Sequence, residues 1–322
     1  MHKTQGPPSM NGVHCPLMAS PTAIHEARGT QFWTAALLLT CAVLLWSGTA
    51  VIGRSAAGHV PPFAVSFWRW LMAFCIFLPL GGRALWLQRR IALREWKWLV
   101  ALSFFGMGGF AVPYFTGLQF TEAVNAAVLN ALGPVMILVI AAVTMGARVS
   151  ALQLAGVALG VAGTAVIVFR GEIDAFLSFG INVGDAFLLL AVLFWSVYTM
   201  LIRRAPKELD QWALMLVLSG LSVPMLAPFY VLEWTQRGGF PLDTLTLIII
   251  FYSGFCSSVL AYLCWNRGVA TIGAARAGAS QYLMPVFGAL LAYAILGEEI
   301  GWFHYAGMAL IFAGIALSSR RG

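Results

Sequence analysis

Long apolar runs, separated by short polar segments, account for most of the chain. A helix that crosses a lipid bilayer needs about 20 mostly apolar residues, and ten runs of about that length follow one another from residue 32 onwards. The runs do not alternate apolar and polar positions as the strands of a membrane β-barrel do. The pattern therefore predicts an all-α membrane protein with ten transmembrane helices, at residues 32–53, 62–80, 98–118, 122–145, 150–169, 182–202, 211–232, 244–266, 274–296 and 301–319.

The polar segments between the runs are mostly short. Three predicted connections, 119–121, 146–149 and 297–300, hold only three or four residues. Loops this short make consecutive helices antiparallel neighbours and leave no room for a domain outside the membrane. Residues 1–31 are different, because they are rich in polar residues and proline and have no continuous apolar core. We therefore expect no signal peptide and a disordered cytoplasmic tail.

The composition excludes several classes of protein. Hydrophobic residues make up 60% of the 322 residues and charged residues only 10%, whereas a soluble protein carries roughly 25% charged residues. A soluble enzyme, a disordered protein and a nucleic-acid-binding domain are therefore excluded, and the partners we expect are lipid and a small solute. The five cysteines and five histidines show no paired or ligand-like spacing. We accordingly expect no disulfide, no metal and no cofactor.

Lysine and arginine are distributed unequally between the two sets of loops. Ten spans place both termini on one side of the membrane, and that side collects 15 of the 19 basic residues. The other side collects Arg54, Arg170 and Arg237, and Arg69 lies within the second span. Basic residues are retained on the cytoplasmic side. The count predicts a multi-pass membrane protein with both termini in the cytoplasm.

The two halves of the chain repeat each other. A shift of 151 positions aligns 15 identical residues between 117 and 165 without a gap, including Pro134 on Pro285 and Gly146 on Gly297. Each half, 32–170 and 182–319, then holds five helices. Five is odd, so the second half must enter the membrane from the opposite side. Inverted repeats of this kind are typical of transporters that bind solute near the membrane midplane and rock one bundle against the other.

Several motifs resemble the EamA module of the drug/metabolite transporter superfamily. They are the stretch 285–299, which ends in Gly-Glu-Glu, the stretch 306–314, the Leu-Trp-Ser of 45–47 and the Phe-Trp-Arg-Trp-Leu-Met-Ala of 67–73. The first half departs from the module at Ala147-Arg148, where Gly-Glu is usual. The resemblance covers nearly all of 32–319 and implies a ten-helix exporter with a five-plus-five repeat. Family members move amino acids, drugs, nucleotide sugars or phosphorylated sugars, and bacterial amino-acid exporters of the YddG type are similar in size and loop length.

Polar residues and prolines at membrane depth mark a candidate solute site. Asn130 and Gln281 are amides at equivalent positions of the repeat, and Ser280 lies beside Gln281. We expect the two amides to face each other across a central cavity, the alternative being an amide clamp between packed helices. Pro134 and Pro285 follow one turn later and each removes a backbone donor. They are candidate gating hinges, and static kinks are the alternative.

Aromatic residues within the spans form the second part of the candidate site. Trp46-Ser47 and Trp195-Ser196 occupy equivalent positions in the first and sixth spans. Both tryptophans lie well inside their spans, where an interfacial belt is a weaker explanation. The same solute-binding role is assigned to three further aromatic residues, Tyr114, Tyr198 and Trp265. Aromatic walls with few polar groups suit amphipathic solutes.

Charged residues within the predicted spans are few and lie near the span ends. Arg69 either has a structural role, in which it snorkels towards the outer interface or bonds exposed carbonyls, or it binds an anion. Glu122 and Asp185 begin spans four and six near the outer face, and the middle third of every span lacks Asp, Glu and His. A proton-coupled carrier usually needs such a buried group, so we expect facilitated movement down the solute gradient.

These observations favour a transporter rather than an enzyme. The leading hypothesis is an inner-membrane exporter of small metabolites, above all amino acids, that works by alternating access between the two repeats. The first alternative is an exporter of amphipathic drugs through the same cavity. A membrane-embedded enzyme or an assembly factor is the second alternative. Ten helices are enough to enclose a pathway, so we expect a monomer.

Overall fold

The computed structural model describes residues 21–55, 59–121, 123–146, 149–172, 174, 180 and 182–319. Within these residues the chain forms ten long helices, α1 to α10, and no strand. They are α1 (Pro21–Ser55), α2 (Pro62–Leu87), α3 (Trp96–Gly106 and Gly108–Gly117), α4 (Ala123–Asn130 and Gly133–Met145), α5 (Ala151–Val168), α6 (Val183–Leu201), α7 (Gln211–Arg237), α8 (Thr244–Phe251, the π-helical Tyr252–Leu260 and Ala261–Ile272), α9 (Ala274–Ala279, the 3-10 turn Ser280–Tyr282 and Leu283–Leu296) and α10 (Trp302–Ser319). Two short helical segments, Arg89–Arg94 and Ile202–Arg204, follow α2 and α6.

The ten helices correspond one to one to the ten predicted spans, which confirms the all-α membrane fold. In the described part of the chain, nine helices are long and apolar enough to cross a bilayer, and α10 contributes the shorter apolar segment Trp302–Ser318.

The start of α1 differs from the expectation. It begins at Pro21, so residues 21–31 are helical rather than a disordered tail. Ala23, Ala27 and Arg28 have high helix propensity, and extending an existing helix costs little. Residues 1–20 of the expected tail lie outside the described residues.

Two helices change their geometry at equivalent positions of the repeat. The helical segments of α4 are separated directly before Pro134, because Pro134 has no N–H to donate to the carbonyl of Asn130. A 3-10 turn, Ser280–Tyr282, tightens α9 in the same way just before Pro285. Both candidate hinge prolines therefore adjoin a departure from regular α-helix.

The helices pack in a pattern that repeats after five helices. α1 packs against α8 and α9, just as α6 packs against α3 and α4. α2 pairs with α7, α5 with α10, and α4 with α9. Moving every helix five places along the chain leaves these contacts unchanged. The packing is that of two inverted five-helix repeats, related by a twofold axis in the membrane plane.

Glycines let the backbones of α5 and α10 approach closely. A Cβ added to Gly314 would lie 2.5 Å from the carbonyl oxygen of Gly156, and one added to Gly163 would lie 2.7 Å from that of Gly307. Gly307 and Gly314 are the repeat equivalents of Gly156 and Gly163, so the twofold axis relates the two contacts. Small residues at such crossings are a main source of helix association in membranes.

Contacts between loops divide them into two faces. On one face Arg94 Nη2 lies 2.7 Å from Glu208 Oε2, which joins the connections after α2 and α6. On the other face His59 Nε2 lies 2.9 Å from Asp243 Oδ2, which joins the connections after α1 and α7. Hydrogen bonds from the Thr246 backbone N–H and from His59 lower the pKa of Asp243 to about 2. The grouping matches the alternation of loops that the ten spans predict.

Candidate functional site

The equivalent tryptophans of the two repeats meet at the centre of the molecule. The rings of Trp46 and Trp195 pack edge to face with their centroids 5.1 Å apart. Trp265 lies 5.4 Å from the first ring and 5.5 Å from the second, and Tyr262 lies 5.7 and 5.8 Å from them. Phe110 extends the cluster to Tyr114, on which it stacks. The sequence missed Tyr262 and Phe110, because their position relative to Trp195 depends on how α3 and α8 pack.

The predicted aromatic residues divide into an accessible group and a buried group. Trp46, Trp195 and Tyr114 are half-buried. Trp265 and Tyr198 are fully buried, with 0% of each residue exposed. The Tyr198 hydroxyl donates to Asn266 Oδ1 at 2.7 Å. In this conformation the first three keep part of their surface exposed, while Trp265 and Tyr198 form the packed layer behind them.

The two predicted serines bond to backbone carbonyls rather than facing a space. Ser47 Oγ lies 2.9 Å from the Val43 carbonyl in its own helix and 3.2 Å from the Met284 carbonyl in α9. Ser196 Oγ lies 2.7 Å from the Val192 carbonyl and 3.4 Å from the Gly133 carbonyl in α4. Both interhelical contacts reach the residue directly before a hinge proline. The serines therefore link the first helix of each repeat to the fourth helix of the other.

The polar residues before the prolines have separate partners. The Asn130 side chain lies close to the Tyr114 hydroxyl. Gln281 Oε1 packs directly against Gly133, since a Cβ built on that glycine would lie only 2.6 Å from the oxygen. The Gln281 Nε2 atom is buried without a partner among the described residues. The Ser280 hydroxyl donates to the Ala277 carbonyl at 2.6 Å. α4 and α9 are thus in contact, and the hydrogen bonds of the described residues do not join the two amides directly.

Arg69 projects into the bundle beside this cluster. Its Nε donates to Ser258 Oγ at 2.7 Å and its Nη2 to Ser257 Oγ at 3.3 Å. Both serines belong to the π-helical part of α8 and are buried. The guanidinium carbon also lies 5.3 Å from the centre of the Trp70 ring. The side chain bonds hydroxyl groups inside the bundle instead of snorkelling to the interface.

Two carboxylates near the outer ends of helices are bound by backbone and side-chain donors. Asp185 accepts hydrogen bonds from Thr121 Oγ1, Asn125 Nδ2 and the Asn182 backbone N–H, and so caps α6. Glu233 Oε2 accepts from the Ala64 backbone N–H at 2.8 Å and thereby caps the first turn of α2. The sequence missed this second role, because α7 continues past the predicted end at residue 232. Glu122 lies outside the described residues.

Acidic and metal-binding side chains are otherwise scattered. Among the side chains that the structure describes, no three His, Cys, Asp or Glu residues lie close enough together to hold a metal ion. The chemistry available at the centre is therefore that of aromatic faces, neutral hydroxyl and amide groups, and one guanidinium. These groups can bind and orient a small solute.

Comparison with known proteins identifies the family. Residues 33–169 and 182–320 each match the EamA-like transporter family. An uncharacterized transporter of Archaeoglobus fulgidus is 27% identical over 288 residues, which cover 88% of this chain and 97% of that protein. The aromatic amino acid exporter YddG of Ancylobacter novellus is 26% identical over 264 residues, which cover 80% and 87% of the two chains. A protein of known crystal structure shares the fold, with a TM-score of 0.72 and 23% identity over 88% of this chain and 96% of its own. The chain therefore belongs to the EamA-like transporter family, and it is a multi-pass membrane transporter rather than an enzyme.

Proposed function

We propose that this transporter exports amino acids from the cytoplasm across the bacterial inner membrane, by alternating access between its two five-helix repeats. The observation that carries the proposal is the contact of Trp46 with Trp195 on the pseudo-twofold axis. Relative motion of the two repeats must change this contact, so the surroundings of a solute bound there change with the conformation of the transporter. The half-buried aromatic rings suit an apolar side chain, and the adjoining polar groups suit an amino-acid head.

The distribution of buried residues along the bundle supports the assignment of this structure to one state of the transport cycle. Ala213, Met215 and Val269, on the half that we assign to the cytoplasm, are fully buried with 0% exposure. Gln88 Oε1 accepts from the Asp210 backbone N–H at the rim of the same half. Trp195 and Tyr114 remain half-buried. We infer a conformation that is closed to the cytoplasm and open towards the outer half of the bundle.

The direct test is counterflow in proteoliposomes that contain the purified protein. Vesicles loaded with an unlabelled amino acid should accumulate the same labelled amino acid from outside, and protein-free vesicles should not. A panel that contains phenylalanine, tryptophan, leucine and amphipathic cationic drugs separates the two solute classes. Counterflow of the drugs alone would replace the amino-acid assignment by drug export. No counterflow of any solute would contradict the proposal.

The proposed orientation predicts the sides from which two exposed leucines are accessible. In a variant without native cysteines, Leu93→Cys should react with a membrane-impermeant maleimide only in inverted vesicles. Leu242→Cys should react in intact cells with a permeabilised outer membrane. The two residues are 71% and 81% exposed, and lie in connections on opposite faces. The reverse labelling pattern would overturn the assignment of both termini to the cytoplasm.

We expect solute flux without obligatory proton coupling. The Asp185 carboxylate accepts hydrogen bonds from three different donors. This structural role requires the deprotonated, charged form of the side chain. Imposing a pH gradient on proteoliposomes should not drive uphill accumulation of phenylalanine. Asp185→Asn replaces one acceptor oxygen by a donor, and should lower thermal stability without changing the response to pH. Gradient-driven accumulation that Asp185→Asn abolishes would contradict this prediction.

The proposed pathway lies within one chain. Its walls come from two helix pairs, α1 with α8 and α3 with α6. Contacts of Trp195 with Trp46 and Trp265 join the two pairs. We therefore propose a functional monomer. Counterflow by vesicles reconstituted at less than one copy per vesicle tests this, because an obligate dimer would lose activity faster than protein content falls.

A further inference from the structure

Arg69 is a positive charge inside the bundle, and its partners among the described residues are neutral. Its two hydrogen bonds go to the hydroxyls of Ser257 and Ser258. The acidic side chains that contact basic side chains within the described residues do so at the loops, in the pairs His59–Asp243, Arg94–Glu95 and Arg94–Glu208. A guanidinium stays charged at any physiological pH. Holding a charge at membrane depth is costly and usually serves a function, so a site with this charge is complementary to an anion.

Among the described residues, the hydrogen bonds to Arg69 leave the end of its guanidinium fork free for such an anion. A guanidinium carries five N–H donors. The serines occupy Nε and one N–H of Nη2, which leaves both N–H groups of Nη1 and the second of Nη2. Two parallel N–H donors on neighbouring nitrogens match the two oxygens of a carboxylate. Trp70 packs against the guanidinium, and together with the serines it holds the fork in one orientation.

A single residue connects this fork to the central aromatic pair. Ser257 accepts from Arg69 through its hydroxyl, and from the Trp46 indole N–H through its carbonyl at 3.1 Å. Tyr262 lies against both Trp70 and Trp46. Tyr114, with Asn130 beside it, also lies near the guanidinium. A cationic fork, neutral polar groups and aromatic faces therefore adjoin one another in this part of the bundle.

We propose that Arg69 binds the carboxylate of the transported solute, with Ser257 and Ser258 as positioning residues. The inference rests on the proposed central solute site and adds the class of solute. The preferred cargo carries a carboxylate and an apolar, preferably aromatic, side chain. Amines, amides and cationic drugs of the same shape are disfavoured, because they leave the guanidinium without a counter-charge.

The test compares solutes that differ only in the carboxylate. Unlabelled L-phenylalanine, L-phenylalaninamide and 2-phenylethylamine compete with labelled L-phenylalanine for counterflow. In the wild-type protein we expect the amide and the amine to compete at least about tenfold more weakly than the acid. Arg69→Gln should raise the half-saturating concentration of L-phenylalanine by about 10- to 100-fold, and should remove the difference between acid and amide. Arg83→Gln, which removes an exposed charge from the same helix, should change neither quantity.

Each contrary result has a separate meaning. If Arg69→Gln loses the same affinity for the acid and for the amide, or if the wild-type protein does not distinguish the two solutes, the carboxylate role is overturned. If Arg69→Gln does not fold, Ser258→Ala replaces it, and an unchanged preference for the acid there would overturn the positioning of the fork. If no amino acid undergoes counterflow, the proposed function fails, and thermal stabilisation by 3-phenylpropionate then tests Arg69 alone. Stabilisation in the wild type but not in Arg69→Gln would retain the carboxylate site, and its absence in both would overturn it.

Discussion

Gly314→Ala should lower the thermal stability of the purified protein and the yield of folded protein in the membrane. The new Cβ would lie 2.5 Å from the Gly156 carbonyl oxygen and 2.9 Å from the Gly160 backbone nitrogen. Neither atom belongs to a side chain that can rotate away, so α5 and α10 must separate. Forcing an extra methyl group into a packed contact typically costs about 1–3 kcal/mol, which corresponds to several degrees in Tm. Thermal unfolding followed by fluorescence-detected size-exclusion chromatography measures the change.

The chain offers a matched control in the neighbouring helix. Gly288 lies within α9, and a Cβ built on it has no neighbouring heavy atom within 4 Å. Gly288→Ala should leave the melting temperature unchanged or raise it slightly, because alanine favours helix over glycine. Gly163→Ala should resemble Gly314→Ala, since its Cβ would lie 2.7 Å from the Gly307 carbonyl oxygen. Equal melting temperatures for Gly314→Ala and Gly288→Ala would contradict the close contact between α5 and α10.

The helices and their arrangement were largely predictable from the sequence for a physical reason. A membrane leaves the backbone few alternatives to a helix, so apolar runs of about 20 residues mark the spans without further information. The identities at a shift of 151 then predict the inverted repeat. The start of α1 at Pro21 was not predictable in this way. Its first turns continue an existing helix and leave no mark in the apolar pattern.

The direction of individual polar side chains could not be predicted from the sequence. Arg69 was expected to snorkel, to bond exposed carbonyls or to bind an anion, and only the packing of α2 against α8 brings it to the serine hydroxyls. Ser47 and Ser196 were expected beside the solute, but their hydroxyls reach carbonyls of neighbouring helices. Glu233 caps a helix that is distant in the chain. These contacts depend on helix rotation and register, which the identity of a residue does not determine.

Trp195→Ala should weaken solute binding while the protein remains folded. Trp195 is half-buried among other aromatic rings, so part of its surface is available to a solute. If a solute covers about 60 Å² of apolar ring surface, about 25 cal/mol/Å² gives about 1.5 kcal/mol, or roughly a tenfold rise in the half-saturating concentration. Trp46 is a less suitable position to test, because its indole N–H is bonded to the Ser257 carbonyl. The measurement is phenylalanine counterflow across a range of concentrations, with Tm recorded for the same preparation.

Two further variants separate solute binding from helix packing. Trp33 is 72% exposed on α1, and Trp33→Ala removes the same side chain from outside the proposed site, so it should leave the half-saturating concentration unchanged. Trp195→Phe keeps an aromatic face and should recover most of the affinity. If Trp195→Ala lowers the melting temperature but phenylalanine still half-saturates at the wild-type concentration, the ring serves packing alone. The solute site would then have to lie away from the pseudo-twofold axis, because Trp46 and Trp195 are the equivalent residues that meet there.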